Sequence, residues 1–538
     1  MMLLQPGDRR LRIFLRTVHF SQHDAELHAT GVIHLRANNV VVGIFSGFLI
    51  VLYRIVLERA EELRHFILNL DISKYKLMPL WFLFLIISAY IVGLLIKTEP
   101  LISGSGIPQV EGVLLRKINM NWLSVIIKKF IGGVISIGAG LSLGREGPSI
   151  QLGAAMGQGV SRIFKRIQIE EKYLITSGAS AGLAAAFNAP LAGVMFALEE
   201  VHKHFSPLIL LSAMSASLTA DFISKHFFGL KPVFNFENVV ALPLESYGYI
   251  IILGIIVGIF GALYNKCLLK TQDIYGKQKW LSVRFRPMIP FLIAGVLSLI
   301  LPQVLGGGHS LIELMIEGSF TLKVLFVILI VKFIFSMISY GSGAPGGIFF
   351  PLLVLGALTG AIYGNILVDF FNFNPQYINN FIILAMAGYF TAIVRAPITG
   401  SILITEMTGS FSHLLSLSLI SLVAYATADL LKSEPIYESL LERLLKNNGT
   451  YEFTEHSNNK VILEVPVCLD SEIDGKEIKE IKLPNSCLLV CVQRGAKELI
   501  PKGNTTLHSG DYLNVLVDEN NAAATKEELL KIGGKPRL

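Results

Sequence analysis

"GREGPS", residues 144–149, interrupts a long series of apolar residues and places Arg145 and Glu146 where a membrane-spanning segment is expected. Ionisable side chains inside a membrane are costly, so those that occur mark ion pathways and proton relays. Glycine and proline at the same point favour a break in the helix, which frees backbone N–H groups. The stretch therefore predicts a broken membrane helix whose carboxylate has a function.

The whole chain has the composition of a membrane protein. Of its 538 residues, 52% are hydrophobic and 16% are charged, against roughly 25% charged in soluble domains. Apolar runs recur from Val40 to about Leu431, and several reach the about 20 residues that cross a bilayer. We expect ten or more membrane helices. The net charge of +6 is modest, which argues against a nucleic-acid partner.

The N-terminal segment, residues 1–39, is basic before the first long apolar run. Its charges are Arg9, Arg10, Arg12 and Arg16. By the positive-inside tendency we expect this segment to stay in the cytoplasm. No apolar stretch with a small-residue cleavage site precedes the first span, so a cleaved signal peptide is not expected.

The membrane part contains an internal repeat. Four stretches recur in the same order, at offsets of 211, 202, 203 and 207 residues. One unit of about 200 residues is therefore used twice, over about 40–225 and 245–440. Transporters built in this way place their substrate near the bilayer midplane, where helices of both halves are broken. The similarity alone leaves open whether the repeats run parallel or inverted. The matching stretches are "VGIFSGFLIVLY" (42–53) with "LGIIVGIFGALY" (253–264), "GSGIPQVE" (104–111) with "GGGHSLIE" (306–313), "PSIQLGAAMG" (148–157) with "PLLVLGALTG" (351–360), and "APLAGVMFALE" (189–199) with "APITGSILITE" (396–406).

Three breaks rich in glycine and proline, at 103–108, 144–148 and 343–351, each precede a helical run. Helix N-termini carry free N–H donors and the positive end of the helix dipole, so three that converge would form an anion site. Ser105 adds a neutral hydroxyl donor. A transported anion must be released again, which suits dipoles and hydroxyls better than full positive charges. The alternative is that these residues only allow close helix packing.

Two glutamates are candidates for proton chemistry. Glu146 is an anion on an anion pathway, so it competes with the substrate when ionised, and protonation removes the competitor. Glu199 and Glu200 end an apolar run, where two acids are often only solvated. Glu199 has a repeat partner in Glu406, which suggests a shared structural role. Glu200 faces Met407 instead and is the better candidate for a proton relay.

These residues resemble those of the CLC family of chloride channels and proton-coupled chloride transporters. Its signatures appear in the family's order as "GSGIP" (104–108), "GREGP" (144–148) and "GIFFP" (347–351), within a similarity that runs from about residue 40 to 445. The resemblance implies a multi-pass protein of the cell membrane. It also implies a homodimer in which each subunit has two inverted repeats and its own ion pathway.

The resemblance further implies roles for single residues. Glu146 matches the external gating glutamate and Glu200 the internal proton-transfer glutamate. The family's passive channels usually replace the latter with an apolar residue, so proton-coupled chloride antiport is favoured over a passive gated chloride channel. The groups that would coordinate the central anion are Ser105, the backbone amides of Ile348 and Phe349, and the hydroxyl of Tyr437.

After a polar linker at 445–460 the composition becomes that of a small soluble α+β domain, residues 461–538. "VILEVPVCL", "CLLVCVQR" and "DYLNVLV" predict strands, and "DGKEIKEIKL" predicts a short helix. The pattern resembles the TrkA-C, or RCK-C, domain. That resemblance implies a prokaryotic source and a regulatory, dimerising cytoplasmic module, for which we expect a nucleotide or cyclic dinucleotide ligand. A purely structural role remains an alternative.

The tail also raises a remote alternative, a subunit of a cation uptake system, but the filter motif TVGYG is missing. HExxH and P-loop patterns are missing too, so we expect no enzyme and no cofactor. The four cysteines form no CxxC pair and have no histidine at zinc spacing, so we expect no metal site. The expected fold is an all-α polytopic membrane domain, 40–444, of two inverted repeats with broken helices, followed by the α+β domain.

Overall fold

The computed structural model describes most of the chain, in the ranges 22–69, 78–203, 205–234, 236, 239–278, 280–447, 460–469, 471–484, 487–495, 497–518 and 522–534. The chain divides into two compact units, Met1–Thr450 and Tyr451–Leu538. The basic N-terminal residues expected to stay in the cytoplasm, and most of the expected linker at 445–460, lie outside the described residues.

The first unit is helical. The first repeat contains α1 (Gln22–Asn69), α2 (Met78–Thr98), α3 (Ile107–Leu114), α4 (Trp122–Gly138), α5 (Glu146–Ile163), α6 (Gln168–Phe187), α7 (Pro190–Phe196) and α8 (Pro207–Phe228). The second contains α9 (Tyr247–Lys277), α10 (Met288–Ile300), α11 (His309–Ile316), α12 (Leu322–Gly341), α13 (Phe349–Phe371), α14 (Ile378–Val394), α15 (Pro397–Thr408) and α16 (Leu414–Leu430), followed by α17 (Ile436–Asn447). α7 continues through a π-helical turn, Ala197–Val201.

The predicted duplication is confirmed, because each of the first eight helices has a counterpart eight helices later. The match extends to single dihedral angles: the residues that cap α3 and α11, Gly106 and Gly308, have φ of 97° and 101°. A backbone contact between the repeats also shows their symmetry. The repeat partners Gly144 and Gly347 exchange backbone hydrogen bonds of 2.7 Å in both directions across an antiparallel bridge. The two repeats therefore meet about a local two-fold axis, as the inverted repeats implied by the family resemblance do.

Eight helices within the described residues are long and apolar enough to cross a membrane, fewer than the ten or more expected. They are Ala37–Leu68, Met78–Thr98, Pro207–Phe228, Leu244–Lys277, Leu322–Gly341, Phe349–Phe371, Pro375–Val394 and Phe411–Leu430. The number is lower because several helices begin at a glycine or proline and stop after about two turns. α3 and α11 have 8 residues each, and α7 has 7 before its π-helical turn.

Some of the repeated glycines serve packing, as the alternative interpretation of the sequence proposed. A methyl group built on Gly153 of α5 would overlap the carbonyl of Gly178 in α6, and one on Gly360 of α13 would overlap the carbonyl of Phe381 in α14. Small residues at such contacts let two helix backbones approach closely inside a membrane. These glycines therefore hold α5 to α6 and α13 to α14, away from the breaks.

The second unit has an antiparallel sheet in the order β1-β4-β2-β3, with β1 (Lys460–Pro466), β2 (Cys487–Arg494), β3 (Lys497–Leu499) and β4 (Asp511–Asp518). A last helix, α18 (Ala522–Gly533), packs against β1 and β4. The three predicted strands are present. The predicted short helix is only a 3₁₀ turn, because the N–H groups of Ile478 and Lys479 bind carbonyls of the facing loop at Thr505 and Gly503.

Candidate functional site

The three predicted breaks meet at glycine residues. A methyl group built on Gly147 would lie 2.7 Å from Ser105 Oγ and 3.2 Å from Gly347 Cα, so only hydrogen fits there. Gly347 is itself bound to Gly144 through the paired backbone hydrogen bonds described above. All three loops are therefore in contact, and this contact requires glycine.

Each of these loops ends in a helix. α3 begins at Ile107, α5 at Glu146 and α13 at Phe349. Gly106, the residue that caps α3, has the left-handed φ that favours glycine. Ile348 caps α13, so Ile348 and Phe349 lie where the first N–H groups of a helix have no partner within it. The junction thus combines the positive ends of several helix dipoles.

Glu146 lies at this junction with 0% of its surface exposed. A methyl group built on Gly144 would touch both Glu146 Oε2 and the backbone N of Phe350, the latter at 3.0 Å, so these two atoms lie close together. Neither carboxylate oxygen has a hydrogen bond of good geometry to any residue that the structure describes. Arg145 points instead toward Glu58, at 3.6 Å. The Glu146 carboxylate therefore lies at the first turn of α13, where an anion is favoured.

Two buried hydroxyls are the next elements of the site. The Ser105 side chain is 1% exposed, and its oxygen accepts a long hydrogen bond of 3.4 Å from the Ile107 N–H. Tyr437 is fully buried, and its hydroxyl has no hydrogen-bond partner among the described residues. α17, which carries Tyr437, packs against α3, the helix that follows Ser105. An anion would provide the acceptor that the buried Tyr437 hydroxyl otherwise lacks.

A buried lysine that was not predicted from the sequence fixes the Ser105 loop. Lys129 of α4 has 0% exposure, and its Nζ donates to the carbonyls of Ile102 (2.9 Å) and Gly104 (2.7 Å). Its repeat partner Lys332 binds the carbonyls of Val304 (2.9 Å) and Gly306 (2.7 Å). A lysine at the same offset in two apolar helices was the signal that could have found this pair.

Glu200 lies in a cluster of charged groups from three elements. It is 4% exposed, and its Oε1 has no hydrogen-bond partner within the described parts of the chain. Nearby, Lys203 Nζ lies 2.6 Å from Glu438 Oε1 of α17 and 3.8 Å from Glu111 Oε2 of α3. Glu200 was predicted from the sequence, whereas Glu111, Lys203 and Glu438 were not. The arrangement places a buried carboxyl beside charged groups of three elements.

A cavity of about 400 Å³ opens onto Glu146. The acidic side chains on its wall are Glu146, Glu58 and Glu61, and the basic side chains outnumber them. A cavity of one sign with low-dielectric walls concentrates ions of the opposite sign. This cavity therefore favours anions in front of Glu146. Its basic side chains are Arg54, Arg64, Arg145 and Lys231.

A second cavity, of about 760 Å³, reaches the Ser105 loop from Ser103 and Gly104. Its wall includes Tyr340 and several basic side chains, among them Lys277, Arg286 and Arg443. Two electropositive cavities therefore approach the junction, one at Glu146 and one at the loop before Ser105.

Two inverted repeats that meet at broken helices around a buried carboxylate define a class of membrane transport proteins. The family described as "Voltage gated chloride channel" matches residues 88–429, and the chain belongs to that family. The description "TrkA-C domain" matches residues 462–530. Relatives include the H(+)/Cl(-) exchange transporter ClcA of Vibrio cholerae serotype O1, at 36% identity over 76% of this chain and 89% of that protein. The ClcA protein of Yersinia pestis bv. Antiqua is 33% identical over 81% of this chain and 92% of its own length.

Solved structures agree with the fold. One is a slow cyanobacterial Cl-/H+ antiporter, with a TM-score of 0.72, 32% identity, and coverage of 77% of this chain and 99% of that one. Another is a CLC-type fluoride/proton antiporter, with a TM-score of 0.64, 24% identity, and coverage of 75% of this chain and 97% of that one. The second likeness concerns the fold alone.

Proposed function

We propose that this protein exchanges chloride for protons across the cell membrane and that Glu146 is its gate. The observation that carries the proposal is the position of the buried Glu146 carboxylate beside the Phe350 N–H, at the start of α13. An ionised carboxylate there takes the place of a transported anion, and a protonated one loses its attraction to the helix end. The names of the related H(+)/Cl(-) exchange transporters and Cl-/H+ antiporter support the same activity.

The anion is bound by neutral donors at the junction. The proposed ligands are the hydroxyls of Ser105 and Tyr437 and the backbone amides of Ile348 and Phe349. Hydroxyls and helix ends favour an anion without a full positive charge in contact with it, so the anion is released readily. The basic side chains stay on the walls of the two cavities, where they raise the local chloride concentration.

The proton takes a separate route through Glu200. This carboxyl is buried beside the Glu111, Lys203 and Glu438 cluster, and Tyr437 lies among its electrostatic neighbours. Glu200 passes protons between that cluster and Glu146, whereas chloride leaves through the cavity at Ser103. A passive gated channel has no use for a buried carboxyl at this position, which favours antiport. The proposed activity is transport, with no enzymatic step.

Ion flux from purified protein in liposomes tests the proposal. A chloride gradient should drive proton movement against the proton gradient, and collapse of the chloride gradient should stop it. Chloride flux without any coupled proton movement would favour the passive channel instead, and absence of chloride flux would refute both.

We further propose that residues 461–538 form a cytoplasmic regulatory domain, joined by the linker 445–460 to the membrane domain 40–444, with residues 1–39 also cytoplasmic. The match to the TrkA-C domain supports this organisation. The protein is proposed to act as a homodimer with one pathway per subunit, and the tail to bind a nucleotide or cyclic dinucleotide. Truncation after Lys446 should preserve transport and abolish any response to such ligands, because every proposed ion ligand precedes the linker.

A further inference from the structure

An apolar cavity of about 570 Å³ lies between α9 and α12. Its volume is within the about 300–1,000 Å³ typical of ligand sites. The polar side chains on its wall already have partners within the protein. Thr271 Oγ1 donates to the Cys267 carbonyl (2.8 Å), Tyr275 Oη to the Ile338 carbonyl (3.3 Å) and Trp280 Nε1 to Gln278 Oε1 (2.8 Å). The cavity therefore presents hydrocarbon to its contents, which excludes an anion or a nucleotide as a favourable ligand.

The surface around the cavity is also apolar. Ile274, Trp280 and Ile334, which line it, are 52%, 77% and 52% exposed, and the neighbouring Ile330 is 57% exposed. In a helix bundle of this kind, exposed apolar side chains face lipid rather than water. The molecules that reach the cavity are therefore those of the bilayer, and an acyl chain matches its walls.

Basic side chains stand next to this surface where α9 ends. Lys277, which also lines the cavity at Ser103, is exposed in the last turn of α9, and Arg284 follows in the segment that leads to α10. Neither forms an ion pair with another residue that the structure describes. The same segment exposes Trp280 and Phe285, 77% and 42% exposed. Aromatic residues beside arginine and lysine are typical of the membrane–water interface, and the cations attract anionic headgroups.

We propose that this cavity holds one acyl chain of an anionic membrane phospholipid, whose headgroup lies against Lys277 and Arg284. The apolar wall selects the chain, and the two cations select the charge of the headgroup. Each cation near a membrane surface favours an anionic lipid by about fivefold. Phosphatidylglycerol should therefore be retained over phosphatidylcholine with the same chains.

The lipid also contacts the helix that leads to the anion site. Thr271 and Tyr275 on the cavity wall pack against Gly341, where a methyl group would lie 2.7 Å and 3.1 Å from their side chains. Two residues later, the Gly343 carbonyl accepts hydrogen bonds from Gly104 N (3.2 Å) and Ser103 Oγ (2.9 Å) in the loop before Ser105. An acyl chain between α9 and α12 therefore supports the end of α12 and, through it, the anion loop.

Native mass spectrometry of the delipidated full-length protein tests the proposal, with synthetic phosphatidylglycerol or phosphatidylcholine of identical chains added. Cys267 lines the cavity and is half-buried, so Cys267→Phe fills the space and Cys267→Ser is the matched control. The wild type and Cys267→Ser should retain phosphatidylglycerol, and Cys267→Phe should lose the most tightly held molecule. The double variant Lys277→Gln/Arg284→Gln should lose the preference for phosphatidylglycerol, whereas Lys165→Gln at another exposed loop should keep it.

Equal retention of phosphatidylglycerol by the wild type and a folded Cys267→Phe protein would overturn the proposed cavity site. Should Cys267→Phe fail to fold, the double variant decides the matter: an unchanged preference for phosphatidylglycerol refutes the headgroup site, and its loss supports it. Failure of the wild type to retain either lipid would overturn the proposal as a whole. None of these results depends on whether the protein is an antiporter or a channel.

Discussion

Glu199 and Glu406 each cap the N-terminus of the helix that carries the other. Glu199, at the end of α7, accepts hydrogen bonds from Ile398 N (3.2 Å) and Thr399 N (2.7 Å) of α15. Glu406 of α15 accepts from the corresponding N–H groups of α7, those of Leu191 (3.1 Å) and Ala192 (2.7 Å). The shared structural role expected for this repeated pair is confirmed, and its reciprocity follows from the two-fold relation of the repeats.

Loss of either cap should therefore have a similar cost. Glu199→Ala and Glu406→Ala should each lower the free energy of unfolding by about 0.5–2 kcal/mol, the usual value of an N-cap. The Glu199 change should cost slightly more, because its Oε2 also accepts from Thr399 Oγ1 (2.7 Å). Denaturant unfolding in detergent measures the loss, and proton coupling in liposomes should survive in both variants. A cost confined to one of the two would contradict the reciprocal arrangement.

Glu146→Gln should separate chloride transport from proton transport. The amide has the shape of the protonated carboxyl, is neutral at every pH and carries no proton, so the anion no longer competes with a charge for the end of α13. Chloride flux in liposomes should persist with little dependence on pH, while proton flux falls to that of empty liposomes. Glu61→Gln is the control, since it removes a carboxylate from the wall of the same cavity without an ion pair to the 144–148 break. Normal proton pumping by the Glu146 variant would exclude Glu146 as the gate.

Glu200→Gln should stop proton movement and leave chloride flux, because only the proposed proton route includes this side chain. Its neighbour Glu199 provides a matched control: Glu199→Gln removes an equal charge one residue away, from a helix cap. Proton uptake driven by a chloride gradient distinguishes the two variants. If both lose uptake to the same degree, the effect is one of local charge and Glu200 has no special role.

Much of the fold could be predicted because the breaks contain glycine and proline, whose backbone preferences differ from those of other residues. Gly106 and Gly308 have φ values that favour glycine, and their spacing recurs in both repeats. Fewer candidate spans than expected are found among the described residues, since hydrophobicity does not distinguish a helix that crosses the bilayer from a short one buried in protein. The short helix expected near Ile478 failed for a similar reason: its N–H groups are taken by a facing loop that local propensity does not include.

The site was only partly predictable for reasons of distance along the chain. Glu146 and Glu200 stand out as acids in or beside apolar runs, whereas Lys203 meets Glu438 across 235 residues. Nothing in the pattern around either residue indicates that contact. Lys129 was hidden by the apolar run around it, although its repeat partner Lys332 marks it as structural. Residues that position a site are thus harder to predict than residues that interrupt a pattern.

Lys129→Met should weaken chloride binding by loosening the Ser105 loop. The change removes two hydrogen bonds to buried carbonyls, worth together about 1–3 kcal/mol of the free energy of unfolding. Lys332→Met is the matched control, because it removes the equivalent bonds from the loop of the second repeat, which carries no proposed chloride ligand. Calorimetric titration with chloride should show lower affinity in the Lys129 variant alone. Equal affinities in the two folded variants would mean that Lys129 does not position Ser105.

Asp511 should make the stability of the tail domain depend on pH in the acid range. Burial alone would raise the pKa of Asp511, but hydrogen bonds from Arg494 (2.6 and 2.8 Å) and from the His508 N–H (2.9 Å) outweigh it and hold the pKa below its usual range. A lowered pKa in the folded state adds stability that is complete above the unfolded value of about 3.9 and is lost as the pH falls further.

Hydrogen-exchange protection factors of β2 and β4 in the full-length protein should hold from neutral pH to about 5 and decline below about 4. Asp511→Asn should lower the free energy of opening that protection at pH 7 reports by about 1–3 kcal/mol, and it should flatten the acid decline. The partly exposed Arg494 keeps this cost below that of a fully buried ion pair. Glu498→Gln on β3 is the control, and an acid decline that persists unchanged in the Asp511 variant would assign the pH dependence to another group.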